Sequence, residues 1–329
     1  MSGGSNHDRQ LMARLVAVAV LSMWLLLAAS SLLLLAVAWP DWLGVLLAAA
    51  LAWFVFASRP RFDGLPPGVD LAPAEAPHLF ALLERLAREM DAPLPDSILI
   101  TSDFNAFARM SPWRRRRVVG FGWPAWVALD RDQRVAVLAH ELAHLHSDVE
   151  RSIPLQLSMA TLYRWHETLK PAPWQTLGAR TGLAAVIGWL YGVQARSYLR
   201  ASQPAEISAN RRAAEVVGSR TVISALETMT LGEVATGAMS RARMQRTDLW
   251  EGVSEAFDRL DPRRRQSIAT EAVRVGGHVL STHPPLGMVL SDLAKLGSSA
   301  SFEVADEDWK ALETEFRTHA GKLWRSDQP

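Results

Sequence analysis

The feature that most limits what this chain can fold into lies at its start. Between Arg14 and Asp41 there is no charged residue, only "LVAVAVLSMWLLLAASSLLLLAVAWP", and from Trp42 to Ser58 a second uncharged run follows, "WLGVLLAAALAWFVFAS". A helix needs roughly 20 apolar residues to cross the hydrocarbon of a bilayer, within a range of about 17 to 25. The first run is ample and the second just sufficient. Ala36-Val37-Ala38 resembles a signal-peptide cleavage site. The stretch nevertheless far exceeds a signal's apolar core of about 7–15 residues, and another span follows at once. Residues 1–58 are therefore expected to form a transmembrane helical hairpin turning at Pro40-Asp41. Arg9 and Arg14 precede the first span, Arg59 and Arg61 follow the second, and the turn carries only Asp41. The positive-inside rule then puts both flanks, and everything downstream, in the cytoplasm.

Beyond the hairpin, "RPRFDGLPPGVDLAPAEAP" at 59–77 is rich in Pro and Gly and reads as a linker, leaving 78–329 as a second domain. In "HLFALLERLAREM", Leu79, Leu82, Leu83 and Leu86 recur at helical spacing. "SILIT" at 97–101, "NAFARM" at 105–110 and "RVVGFG" at 117–122 read as short strands. Asp130 and Gln133 form a capping-box pattern before the apolar run "VAVLA", which opens a long helix. "TGLAAVIGWLYGVQA" at 181–195 spans about 22 Å as a helix, too short for a core of ~30 Å, and is expected to be buried or re-entrant. "SQPAEISANRRAAEVVG" at 202–218 reads as another helix, with Ser202 as cap, Pro204 in the first turn and Gly218 as stop. The fold class is thus α+β and mostly helical, with a small sheet ahead of the long helix. The segment 219–280 contains charged, helical-looking stretches, including "DPRRRQ", to which no chemistry attaches.

Composition narrows the partners. A formal net charge of +1 gives no polyanion-binding signature, and the basic cluster "WRRRRV" at 113–118 reads as a solvated loop, so no nucleic-acid partner is expected. Anionic membrane lipid is the better functional alternative for that cluster. Without cysteine, disulfides and thiolate metal sites are excluded.

The chemistry concentrates in "LAHELAHLHSD" at 138–148, which holds three of the nine histidines. His140 and His144 lie four apart, so a helix projects both from one face, where two imidazoles can reach one zinc ion. Glu141 lies beside them and can take a proton from a zinc-activated water; this is the H-E-x-x-H pattern. His146 falls about 240° around the helix from His140 and points elsewhere. A catalytic zinc needs a third protein ligand and an open position. Spacing alone does not choose it: Glu206 and Asn210 share a helix face, and "NAFA" at 105–108 and "STHPP" at 281–285 also stand out.

Four ordered segments resemble one known family, the HtpX and CAAX-prenyl-protease type of zinc metallopeptidases. They are "FNAFA" at 104–108, "VLAHELAH" at 137–144, "AEISANRRA" at 205–213 and "STHPPLGMVLSDL" at 281–293, within a likeness covering roughly residues 75–295. The resemblance implies a gluzincin-like metallopeptidase domain holding one Zn2+ per chain, with Glu206 as third ligand. It implies that Asn105, Ala106, Phe107 and Ala108 form a substrate-binding edge strand and that His283 donates to the oxyanion. One position departs from the pattern. The family's aspartate four residues after the glutamate ligand is here Asn210, whose amide oxygen can still accept from an imidazole N–H but without charge. Second-shell partners of this kind change metal affinity or activity by about 10–100-fold. Arg211 matches the arginine that follows.

The expected function is a membrane-tethered zinc endopeptidase of the bacterial inner membrane, facing the cytoplasm and hydrolysing polypeptides. By the resemblance, its substrates are misfolded or surplus membrane proteins. Asn210 motivates the alternative, a zinc-binding but non-hydrolytic adaptor or holdase, against which the retention of Glu141 argues.

Overall fold

The computed structural model describes residues 3–39, 41–60, 65–111, 116–169, 182–275 and 285–325. The chain divides into two compact units, Met1–Gly64 with Arg151–Ser202, and Leu65–Glu150 with Gln203–Pro329. His283 and the "STHP" part of its segment lie outside the described residues, as does the side chain of His146.

The first unit is helical. Helix α1 (Gly3–Ala38) contains a stretch, Arg14–Ala38, long and apolar enough to cross a membrane; α2 (Trp42–Ala57) has 16 residues and is shorter. The Asp41 carboxylate caps α2 by accepting from the N–H groups of Leu43 and Gly44 at 3.3 and 3.2 Å. Such a cap satisfies donors that the first helical turn leaves unpaired. The Trp24 indole N–H donates to the Val55 carbonyl at 3.2 Å and ties α1 to α2. The same unit takes the distal part of α5 (Arg131–Leu169) and the proximal part of α6 (Gly182–Val217). Leu162, Trp165 and Ile187 from these parts bury themselves against Val20 of α1. Two polar side chains here find partners inside the unit: the Gln194 Nε2 donates to the Ser158 hydroxyl at 3.0 Å, and the Thr161 hydroxyl to the Leu157 carbonyl at 2.8 Å. Leu26, Leu32, Trp53 and Trp189 are more than 60% exposed, a surface that soluble domains rarely present.

Two expectations change here. Residues 182–195 of the apolar stretch and residues 202–217 belong to one helix, α6, so Ser202 is no cap and Pro204 sits inside the helix. A proline deletes one backbone hydrogen bond and crowds the preceding turn, but it does not end a helix that is otherwise well packed. Gly218 does end it, with a φ of +87° that a side chain rarely adopts.

The second unit is built on a four-stranded sheet in the order β1-β2-β4-β3. Strand β2 (Ser97–Thr101) is buried along its whole length; β1 (Gly68–Leu71) flanks it antiparallel and β4 (Arg116–Gly122) parallel. Strand β1 comes from within the Pro/Gly-rich stretch 59–77. Arg116, part of the basic cluster, is not in a loop: it belongs to β4 and pairs with Asp70 of β1 at 2.7 Å. Strand β3 (Ala106–Ser111) pairs with β4 and forms the outer edge. At Gly122 a Cβ would lie 1.6 Å from the Asp103 carbonyl oxygen, so only glycine lets residues 103–105 approach β4 this closely.

Helices cover this sheet. Helix α3 (Pro77–Glu89) buries Leu79, Leu82, Leu83 and Leu86, the face its spacing predicts. The capping box forms: the Gln133 N–H donates to the Asp130 carboxylate at 2.9 Å and the Asp130 N–H to the Gln133 side chain at 3.1 Å. Short α4 (Trp123–Ala128) and the long α12 (Asp306–Arg325) join through Trp126 stacked on Phe316, ring centroids 4.0 Å apart. Helices α7 (Ser219–Met229), α8 (Gly232–Gln245), α9 (Leu249–Asp258), α10 (Pro262–Val275) and α11 (Leu286–Leu296) complete the unit.

Candidate metal centre

The capping box fixes where α5 begins, and so fixes which residues share its faces. The apolar face of Val135, Ala136, Leu138, Ala139 and Leu142 packs into the core. His140 and His144 project one turn apart, their rings edge to face with centroids 4.6 Å apart. Opposite them α6 presents Glu206. Its carboxylate oxygens lie 3.6 Å from His140 Nε2 and 3.4 Å from His144 Nε2, while the two Nε2 atoms are 3.0 Å apart. His140 and Glu206 are buried, at 9% and 8% exposure.

This donor set fits a cation. At 3.0 Å two imidazole nitrogens cannot both present lone pairs to each other without a proton or a cation between them. In a tetrahedral zinc site with ligand distances of about 2.0–2.1 Å, neighbouring ligand atoms lie about 3.3 Å apart. The three separations bracket that value. One ligand atom from each residue falls within 4.8 Å of the others, and His140, His144 and Glu206 form the only such group among the described residues.

The group opens into a cleft of about 320 Å³. Glu141, 6% exposed, lines it beside His140. Asn105 and Ala106 line it from the start of β3, whereas Phe107 and Ala108 do not; Phe107 covers Gly120 of β4. Asn210 lines it too, but without the expected bond to an imidazole. Its Nδ2 donates at 2.9 Å to the carbonyl of Glu206, one turn back in its own helix, and this fixes the amide. Among the described residues, the Oδ1 is buried with no hydrogen-bond partner.

Several lining residues were not singled out from the sequence. Val222, Leu226 and Met229 of α7 and Val289 of α11 make the wall apolar. Their spacing, at positions 222, 226 and 229, is an amphipathic signal that the charged surroundings of 219–280 obscured. Arg211 grips Asp292 through two guanidinium nitrogens and ties α6 to α11. That contact holds the Asp292 carboxyl below its ordinary range, chiefly by the hydrogen bond from Arg211.

Comparison with known proteins agrees with this geometry. The model of peptidase family M48 matches residues 73–296, which contain both helices of the centre and the edge strand. The chain belongs to peptidase family M48. A protease HtpX homolog from Salinibacter ruber (strain DSM 13855 / M31) is 41% identical over 78 residues, 23% of this chain and 28% of that protein. The chain thus matches only about a quarter of that relative's length. No solved structure matches. M48 peptidases are metalloproteases, and the buried His140–His144–Glu206 group is placed to hold the metal ion that such a protease needs.

Proposed function

We propose that this M48 chain is a membrane-tethered zinc endopeptidase cutting unfolded or misfolded polypeptides. The observation that carries the reading is the convergence of His140, His144 and Glu206 from two helices, with Glu141 on the same cleft wall. Bound there, zinc would supply Lewis acidity and lower the pKa of a water toward neutrality. Glu141 takes the proton from the attacking water on its carboxylate and hands it to the departing amine. His283 donates to the oxygen on which negative charge develops. The apolar wall excludes bulk water, which strengthens these interactions.

Strand β3 supports the substrate assignment. The Gly122 N–H donates to the Asn105 carbonyl at 2.8 Å. Alternation along an antiparallel pair then turns Asn105, Phe107 and Arg109 toward β4, and leaves the main-chain groups of Ala106 and Ala108 on the open side. An extended polypeptide adds to such an edge through main-chain hydrogen bonds, whatever its sequence. The span Arg14–Ala38 supplies the tether, and its flanking arginines orient the peptidase unit to the cytoplasm.

The test compares casein cleavage by the zinc-loaded protein and by Glu141→Gln. The reading requires a loss of about 10²–10⁴-fold in the variant with zinc still bound. Equal cleavage by both proteins would defeat it, and no cleavage by either would favour the adaptor alternative.

A further inference from the structure

The cleft beside the metal centre has an apolar end whose shape the hydrolysis itself does not require. There α7 contributes Val222, Ala225, Leu226 and Met229, spaced so that they share one helix face, and α11 adds Val289. Three alanines create the room. Ala106 at the start of β3, Ala136 on α5 and Ala225 on α7 are all buried and all line the cavity, so a longer side chain at any of them would fill part of it. Its volume of about 320 Å³ lies at the lower end of the roughly 300–1,000 Å³ of small-molecule sites. It suits one or two side chains, not a long segment.

The walls are held from outside the cavity. Gln133 of α5 donates to the Ser224 hydroxyl of α7 at 2.7 Å, on the turn that carries Val222 and Ala225. Arg211 of α6 grips Asp292 of α11, and α11 packs on α7. A pocket fixed in this way needs little rearrangement to be filled, which favours binding. Its chemistry is one-sided as well. Among the described lining residues the ionisable side chains are His140, Glu141 and Glu206, all at the metal centre, and the α7 end has none. A carboxylate or an ammonium group placed at that end would lose its water without gaining a partner. An apolar side chain would gain by leaving water. Because Asn105 and Ala106 of the edge strand line the same cavity as the metal ligands, the side chain that enters belongs to a residue adjoining the scissile bond.

We propose that this end of the cleft is a specificity pocket that takes a bulky apolar side chain, such as leucine or phenylalanine, from the substrate residue next to the scissile bond. The proposal rests on the peptidase reading above and adds a sequence preference that main-chain pairing along β3 cannot supply. Bulky apolar side chains are among those most often buried in folded proteins. A pocket that demands one therefore selects chains that have lost their fold, and spares folded neighbours whose apolar residues are out of reach.

The test uses fluorescent peptides with one cleavable core in which the residue on each side of the bond is, in turn, alanine, leucine, phenylalanine, glutamate or lysine. Cleavage is followed with the zinc-loaded, full-length wild type. Binding is read by fluorescence anisotropy on full-length Glu141→Gln, which leaves the peptides uncut, with zinc and without it. At one of the two positions leucine or phenylalanine should exceed alanine by about 10–100-fold in kcat/KM, the gain expected from burying one such side chain. Glutamate and lysine should fall below alanine, and binding should rank the peptides in the same order in both metal states. Ala225→Leu should cut the leucine and phenylalanine advantage to about threefold or less. If that variant fails to fold, Met229→Ala, at a half-buried position, should still shift the preference from leucine toward phenylalanine. Equal cleavage of apolar and charged peptides, or a preference that these substitutions leave unchanged, would overturn the pocket and leave the peptidase reading standing. Ranked binding without any cleavage would do the reverse.

Discussion

Asn210 shows how one atom's bonding decides a residue's role. A carboxylate at this position could not donate to the Glu206 carbonyl; the asparagine does so through Nδ2, and among the described residues its Oδ1 meets no imidazole N–H. Asn210→Asp should therefore have two opposed effects. Loss of the hydrogen bond and a new buried charge should destabilise the metal-free protein by about 1–3 kcal/mol. The added charge beside Glu206 should raise zinc affinity by up to about tenfold. Melting with and without zinc, together with a zinc titration, reads both; a variant as stable as wild type without metal would refute the bonding scheme. At this scale the sequence was informative where chemistry is local. His140, Glu141 and His144 are legible because four-residue spacing on a helix is itself a geometry. Glu206 is different, since its closeness to the histidines depends on how α6 packs on α5. Spacing left that choice open, and only the family resemblance singled it out.

Elements are legible when their own residues carry both ends and a face. The buried leucines of α3 and the Asp130–Gln133 box of α5 are of this kind. Helix α6 misled because Ser202 and Pro204 form a plausible local start, while the packing of Ile187 and of Ala209 and Ala213 holds the helix continuous on both sides of them. Strand β3 makes a prediction of its own. Proline at position 108 removes an N–H that faces outward and spares the ladder to β4. Ala108→Pro should keep the melting temperature within a few degrees, yet raise KM for casein about tenfold or more. Unchanged KM would show that substrate does not use this edge. The α6–α11 attachment predicts a pH effect. Hydrogen bonds from Arg211 depress the Asp292 pKa in the folded state, so the pair's contribution is present above the unfolded value of about 3.9 and is lost as pH falls through the folded one. The melting temperature should owe no slope to this pair between about pH 5 and 8. Below about pH 4 it should fall more steeply in the wild type than in Asp292→Asn, and parallel curves would contradict the assignment.

The chain as a whole combines an apolar unit with a peptidase unit, and the two differ in how far sequence reveals them. The N-terminal run is legible because hydropathy alone carries it. That residues 151–202 belong to the same compact unit is not, because no local pattern encodes the burial of Leu162, Trp165 and Ile187 against Val20. The small sheet was anticipated in three strands and missed in β1, whose four residues are hidden among prolines and glycines and are fixed by pairing with β2. What would unite these elements functionally is the metal ion that His140, His144 and Glu206 are placed to hold between α5 and α6. The most direct test is the zinc content of purified protein, measured by mass spectrometry after dialysis against a weak chelator, for the wild type and for Glu206→Ala. The wild type should retain one zinc per chain and Glu206→Ala should retain about a tenth or less, because two imidazoles alone cannot complete the ligand set. Equal zinc in the two proteins, or none in the wild type, would contradict the metal centre and everything built on it.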